Sequence, residues 1–336
     1  MEAGLRATPE NMEASLQAQA ADGLAKIKIM IACHKPYPVA AVVVTYNRLP
    51  LLQKCIEKLE AQTEPCDILV VNNASTDGTA EWLQKCEAKN KRLHARNTDA
   101  NLGGAGGFNY GMRWAIEAGY EYLWLMDDDC LPEPDALEKL LDADTYLKGE
   151  YGWLSSVALW TDGSVCNMNL QRKTPYRDID SIVAPLTPCV MASFVSLFLR
   201  AETVAEFGLP IKEFFIWSDD WEYTRRISLQ KACYVAADSQ VVHAMKSNTV
   251  VNIATDASER LERYRFFYRN DVYLYRREGL RGWLWLIAKD CWHSAQVIRK
   301  GRAGSLPMIW KGFATGICFR PKTERTATIK AAEDYE

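Results

Sequence analysis

The chain has 336 residues, of which 48% are hydrophobic and 25% charged. That is too apolar for a disordered chain, too poor in Gly and Pro for a fibrous one, and long enough for about two domains. A formal charge of -3 excludes a general nucleic-acid binder, whose footprint would be broadly basic. Between Arg260 and Arg320, however, 13 Lys or Arg stand against 4 Asp or Glu, an imbalance that points one end of the molecule at an anionic surface.

In chain order, residues 1–26 are polar and Ala-rich, and Ile27–Val39 reads as a short strand followed by a Pro-punctuated loop. Ala40–Thr45 is an unbroken apolar, β-branched run, as expected of a strand covered on both faces. Helical spacing over Leu49–Gln62 follows, then a strand at Asp67–Val71, a helix at Thr79–Ala88, a strand at Leu93–Arg96, a Gly-rich loop, a helix at Phe108–Ala118 and a strand at Tyr122–Met126. This alternation predicts β-α-β units and a mainly parallel sheet, with the ligand at the strands' carboxyl ends. Beyond it lie a helix over Asp135–Leu147, a hairpin at Asp162-Gly163, an apolar strand over Val190–Leu199, a helix over Trp221–Gln230 and a strand ending in Val241-Val242-His243. From about residue 256 the chain is aromatic and basic. The ten cysteines never form a C-x-x-C pair, and several occupy apolar periodic positions, which fits buried reduced thiols. No secretory signal and no apolar run of bilayer length is visible, so a non-spanning, cytoplasmic protein is expected.

Polar clusters fall where the topology puts a ligand. Asp127-Asp128-Asp129 ends a strand, and three like charges need a compensating cation. Oxygen ligands of this kind select Mg²⁺ or Mn²⁺, and extended geometry would aim Asp127 and Asp129 to one side. A solvated acidic turn is the competing explanation. The stretch Asn101 to Gly107 lets backbone approach a phosphate or sugar, although its glycine spacing is not that of a dinucleotide or P-loop motif. In Asn72 to Gly78, Ser75 or Asp77 caps the next helix, leaving the Asn72 amide for the edge of a base. Trp217-Ser218-Asp219-Asp220-Trp221-Glu222 sets acids among aromatics at a helix start. An apolar surround raises carboxylate basicity, as a general base requires, while a simple helix cap is the plainer role. His243 is either a satisfied structural residue or the completion of a metal site.

Taken in order and spacing, TYNR, NNASTDGT, NLGGAGGFNYGM, MDDDC, WSDDWEY and VVH resemble the inverting family 2 glycosyltransferases of the GT-A fold, and within them most resemble bacterial galactofuranosyltransferases, with rhamnosyltransferases sharing much of the pattern. The resemblance covers about residues 40–243. It implies a Rossmann-like mixed, mostly parallel sheet with flanking helices over 39–255 and a mainly helical C-terminal region over 256–336. It also implies a divalent ion (Mn²⁺ or Mg²⁺) on Asp127, Asp129 and His243, and a UDP-sugar held by Thr45, Arg48, Asn72, Asn101, Gly103, Gly104, Asp127 and Asp128. Asp220 would be the base with Asp219 beside it, and Trp217 and Glu222 would meet a glycan acceptor, lipid-linked in many such systems. Many relatives carry Asp at the position of Asn72. Residues 27–39 separately resemble the opening of another glycosyltransferase-type domain, so 1–38 is expected to be an N-terminal extension, a remnant of such a domain.

Three rivals remain open at this stage. A nucleotidyltransferase would carry a Gly-rich, basic loop where Thr45 to Pro50 stands, and a D-x-D phosphatase would place its nucleophile early in the chain. A nucleotide-sugar-binding module would need no base. Arg299-Lys300-x-Arg302 and the Trp-rich segment before it fit either peripheral membrane contact or an ordinary helical subdomain.

Overall fold

A computed structural model describes residues 36–249, 252–256 and 258–326. The strand expected from Ile27, and all but the end of the 1–38 extension, lie outside the described residues. The first strand, β1 (Val39–Thr45), explains the architecture through its side chains. Val39, Ala41 and Val43 enter one core with Leu52, Ile56 and Leu59 of α1 (Leu49–Glu60), and Ala40, Val42 and Val44 enter another with Phe108 and Met112 of α3 (Gly103–Glu117). Alternate side chains leave opposite faces of a strand, so a run apolar at every position is a strand buried on both sides.

On one side of β1 lie β2 (Asp67–Asn72) and β3 (Leu93–Asn97), and on the other β4 (Tyr122–Asp127), all parallel. Between β2 and β3 runs α2 (Thr79–Glu87). After β4 the chain makes β5 (Cys130–Pro132), α4 (Ala136–Leu147), β6 (Leu154–Leu159), a small hairpin of β7 (Arg172–Thr174) and β8 (Arg177–Asp178), and β9 (Leu186–Pro188). Then follow β10 (Leu197–Arg200), α5 (Ala201–Phe207), α6 (Asp219–Ser228) and β11 (Tyr234–His243). The nine-stranded sheet runs β3-β2-β1-β4-β10-β6-β11-β5, with β9 also on β11. β10 is antiparallel to both its neighbours and β5 is antiparallel to β11. The α/β fold class is thus a mixed, mostly parallel sheet with helices on both faces.

The C-terminal region is helical: α7 (Tyr264–Arg276), α8 (Gly279–Arg299) and α9 (Leu306–Cys318). Gly312 and Gly316 let α9 meet α7 closely; a Cβ on either would come within 2.6 Å of the Cβ of Tyr268 or Val272. No helix among the described residues is long and apolar enough to cross a membrane. Six described cysteines are buried and unpaired, while Cys291 and Cys318 are exposed.

Three elements differ from expectation. The Gly-rich stretch is the first turns of α3 rather than a loop, because close packing and not propensity decides there: a Cβ on Gly107 would sit 2.5 Å from Val44 Cγ1, and one on Gly111 2.5 Å from Val42 Cγ1. Of Val190–Leu199 only Leu197 onward is strand, since Ser196 takes a left-handed conformation (φ 59°) that interrupts extended pairing. The third, α6, begins at Asp219 rather than Trp221, which puts both acids in its first turn.

Candidate active site

The three consecutive acids do not share one extended strand. β4 stops at Asp127, opposite Val44 of β1, and the chain turns so that β5 can pair with β11, bringing Cys130 opposite His243. The turn separates the carboxylates. Asp128 is buried and accepts from Thr45 Oγ1 at 2.7 Å and from Arg48 Nη1 at 3.3 Å. Asp129 uses one oxygen for Arg48 Nη1 (2.5 Å) and the other for His243 Nε2 (3.1 Å). Among the described residues no hydrogen-bond donor reaches the Asp127 carboxylate, and burial followed by the charge of Asp129 raises its pKa. Burial pushes Asp128 up to about 6. Burial alone would raise Asp129 too, but the hydrogen bond and charge of His243, with Arg48, leave it below the usual value.

His243 is held at both ends. Nδ1 lies 2.7 Å from Asn169 Oδ1, and Asn169 in turn donates its amide to Ser193 Oγ at 2.8 Å, which fixes the oxygen toward the ring. With acceptors at both nitrogens the ring is an imidazolium: burial would lower its pKa, but the hydrogen bond to and charge of Asp129 carry it to about 10. Among the described residues no three acid, His or Cys side chains form a ready cation site. The donor chemistry nevertheless suits a hard divalent cation, because Asp127 is an acid without a partner and Asn169 orients the His243 ring as an outer-shell acceptor does. Occupancy would require His243 to give up its Nε2 proton and Asp129 to exchange partners.

Asn72 is buried and engaged, donating to Asn97 Oδ1 at 2.7 Å and accepting from the Ser75 amide at 3.2 Å. Its neighbour Asn73 carries more of the local order. The Asn73 amide donates to Asn101 Oδ1 (3.2 Å) and the Gly103 carbonyl (2.9 Å), and its oxygen accepts from the Leu102 amide (2.9 Å). Gly103 has φ +71° and meets the Phe215 carbonyl so closely that a Cβ would fall 2.0 Å from it, and Ala105 N–H donates to the same carbonyl at 3.2 Å. Gly104 alone of the cluster faces open space. The start of α3 is therefore locked against the loop that leads to α6.

That loop contains three non-glycine residues with positive φ: Phe215, Trp217 and Ser218. Such conformations persist only where surrounding contacts over-determine them. Asn270 of α7 donates its amide to the carbonyls of Phe214, Ile216 and Trp217, and Ser218 Oγ donates to Asp271 Oδ1 at 2.6 Å. The turn presents Asp219 and Asp220 at the amino end of α6. Burial, then repulsion from Asp219, sets Asp220 well above the ordinary carboxylate range, and the negative charge of Asp127 adds to this, so the two acidic clusters lie within electrostatic reach of each other. Trp217 is half-buried, tilted against Tyr264 at 5.0 Å, and Arg172 covers the Trp221 ring at 3.8 Å. Glu222 is sealed: Arg226 (2.8 Å) and Arg277 (2.7 Å) hold its two oxygens, so it anchors α6 to α7 and has no free oxygen for an acceptor. Sequence reasoning missed Asn73, Asn169, Asn270 and Asp271; only Asn73 lay within a motif already singled out.

A mixed sheet of this order, with acids ending β4, a histidine ending β11 and two acids opening α6, is the arrangement of a glycosyltransferase of GT-A type. Residues 40–145 match the family model described as glycosyl transferase family 2, which supports a family 2 glycosyltransferase. It is 28% identical over 286 residues to galactofuranosyltransferase GlfT1 of Mycolicibacterium smegmatis, covering 75% of this chain and 90% of that one. Identity to galactofuranosyltransferase GlfT1 of Mycobacterium tuberculosis is also 28%, over 79% of this chain and 95% of that one. Undecaprenyl-phosphate mannosyltransferase of Micrococcus luteus is 36% identical over 107 residues, 31% of this chain and 43% of that protein. Among solved structures, mannosyltransferase PcManGT of Pyrobaculum calidifontis, in complex with GDP-Man and Mn²⁺, shares the fold at TM-score 0.50 and 16% identity, covering 96% of this chain and 89% of that one. GalNAc-T7 with UDP, GalNAc and Mn²⁺ does so at 0.52 and 12%, covering 71% and 48%.

Proposed function

We propose that this glycosyltransferase moves galactofuranose from UDP-galactofuranose, with inversion, onto a lipid-linked glycan acceptor at the cytoplasmic face of a membrane. The observation that carries the reading is the Asp220 carboxylate, half-buried, raised in basicity and within the field of Asp127. An acid so placed takes the proton of an acceptor hydroxyl as its oxygen attacks the anomeric carbon, while the sugar–phosphate bond breaks and its electrons leave with UDP. A single base, with no carboxylate nucleophile on the other face, gives inversion. Asp127, Asp129 and His243 would hold Mn²⁺ or Mg²⁺, which when bound supplies Lewis-acid stabilisation of the departing diphosphate. Thr45 and Arg48 fix Asp128 at the donor's side of the cleft, with Asn72, Asn101, Gly103 and Gly104 as the remaining donor-side residues. Trp217 is the acceptor platform, Asp219 lies beside the base, and Glu222 acts by positioning α6.

Support for galactofuranose is the likeness to two galactofuranosyltransferases along most of their length, and support for a lipid-linked acceptor is the likeness to a protein named for undecaprenyl phosphate. A donor series tests it: UDP release with UDP-galactofuranose, UDP-galactopyranose, UDP-glucose and dTDP-rhamnose, each with a lipid-linked acceptor mimic. Fastest turnover is expected with UDP-galactofuranose; preference for dTDP-rhamnose or a pyranose donor would replace the assigned sugar.

A further inference from the structure

The C-terminal helices carry a surface that sugar transfer does not use. α8 is 21 residues, about 30 Å long. Its inner face buries Leu286, Asp290, Ser294 and Val297 and turns Lys289 inward onto Asp271. Leu280 (75% exposed), Leu284 (60%), Ile287 and Ile298 (58%) lie on one side of α8, and Trp292 (60%) stands about a third of a turn away. Trp310 of α9 adds to the exposed aromatic side chains. Scattered exposed apolar residues are ordinary, but several large ones exposed along the length of one helix mark an interaction surface. Its charge is one-sided. Asp290 is the single acid in α8 and α9, and it is buried, whereas Arg281 at one end and Arg299 and Lys300 at the other are exposed.

We propose that this face of α8, with Trp310, is a docking surface for an anionic phospholipid bilayer, the helix lying in the interface plane. Apolar and Trp side chains would enter the boundary between headgroups and acyl chains, and the terminal cations would meet lipid phosphates. Charge favours lipid over a second copy of the chain, because two such faces together would confront Arg281, Arg299 and Lys300 with their own kind and offer no acid in reply. The surface is tied to the active site: Lys289, on the inner face, holds Asp271, which receives the Ser218 hydroxyl beside the acids of α6. Docking therefore goes beyond the transfer reading but serves it, by setting the cleft near a lipid-borne acceptor.

Flotation of the full chain with vesicles of phosphatidylglycerol and phosphatidylcholine tests the surface. The chain is expected to float with the mixed vesicles and to remain behind with phosphatidylcholine alone. The double substitution Leu284→Ser with Trp292→Ser should lower partitioning about ten-fold or more while leaving the melting temperature in place, since both side chains are exposed. No flotation with anionic vesicles, or equal flotation of the variant, would overturn the proposal, as would a dimer in light scattering that the same substitutions dissolve. Vesicle binding needs no transfer, so a failed donor assignment and a failed docking surface give separate results.

Discussion

Asn270 donates its side-chain amide to the carbonyl of Trp217 at 2.9 Å, joining the C-terminal helix α7 to the turn that presents Asp219 and Asp220. The same amide serves Phe214 and Ile216, so one buried side chain holds a loop in which three non-glycine residues adopt positive φ. Conformations of that kind cost about 1–3 kcal/mol each, and the contacts from the helical region offset the cost.

Asn270→Ala is therefore expected to lower kcat about ten- to hundred-fold, because a displacement near 1 Å at a reacting group has effects of that size. UDP affinity should fall less than kcat, since most of the proposed donor-side residues lie on or beside β1, β2 and β4 and only Gly103 packs on this loop. Steady-state kinetics beside UDP calorimetry checks this; parallel loss of UDP binding would mean that the substitution unfolds more than the turn.

Removing either acid on the donor side has the opposite signature. Asp127→Ala and Asp129→Ala should abolish the dependence of UDP binding on Mn²⁺, as calorimetry with and without the ion would read. Asp129→Ala should also release His243 Nε2 and leave Arg48 with Asp128.

The glycines of α3 separate packing from freedom. Gly107→Ala should cost about 1–3 kcal/mol, because its new methyl meets Val44 at 2.5 Å and the core must shift. Gly104→Ala, which meets nothing within 4 Å, should be neutral or slightly stabilising in a helix. Urea denaturation of the two variants makes the comparison.

How far the sequence reveals this follows from the range of each interaction. β1 was readable because burial on both faces writes itself into consecutive residues, and the acids were readable because they sit together at element ends. The Gly-rich stretch was misread, since low helix propensity is a local signal while the closeness of Val42 and Val44 is not. Asn169 and Asn270 were invisible for the same reason: Asn169 acts on His243, 74 residues away, and Asn270 acts on carbonyls 53 to 56 residues away. Asn72 drew attention as the strand's last residue, yet Asn73 beside it ties β2 to α3.

His293 should give the fold a pH dependence. Its Nδ1 lies 2.9 Å from the Tyr268 hydroxyl, and burial, with Lys289 nearby, lowers its pKa to about 4. The unfolded chain takes up that proton near pH ~6.5, so it binds more protons than the fold between roughly 4 and 6.5. Stability should thus fall, by about 2 kcal/mol, as pH drops through that window, and be insensitive to this residue above it. Melting curves of His293→Gln should lose that part of the slope; an unchanged slope would place the dependence elsewhere.

The most direct test of the account is Asp220→Asn, which keeps the shape of the side chain and removes its ability to take a proton. Turnover should fall by about 10²–10⁴-fold while UDP binding persists. Transfer at the native rate would contradict the assignment of Asp220 as base, and with it the chemistry proposed for the cleft.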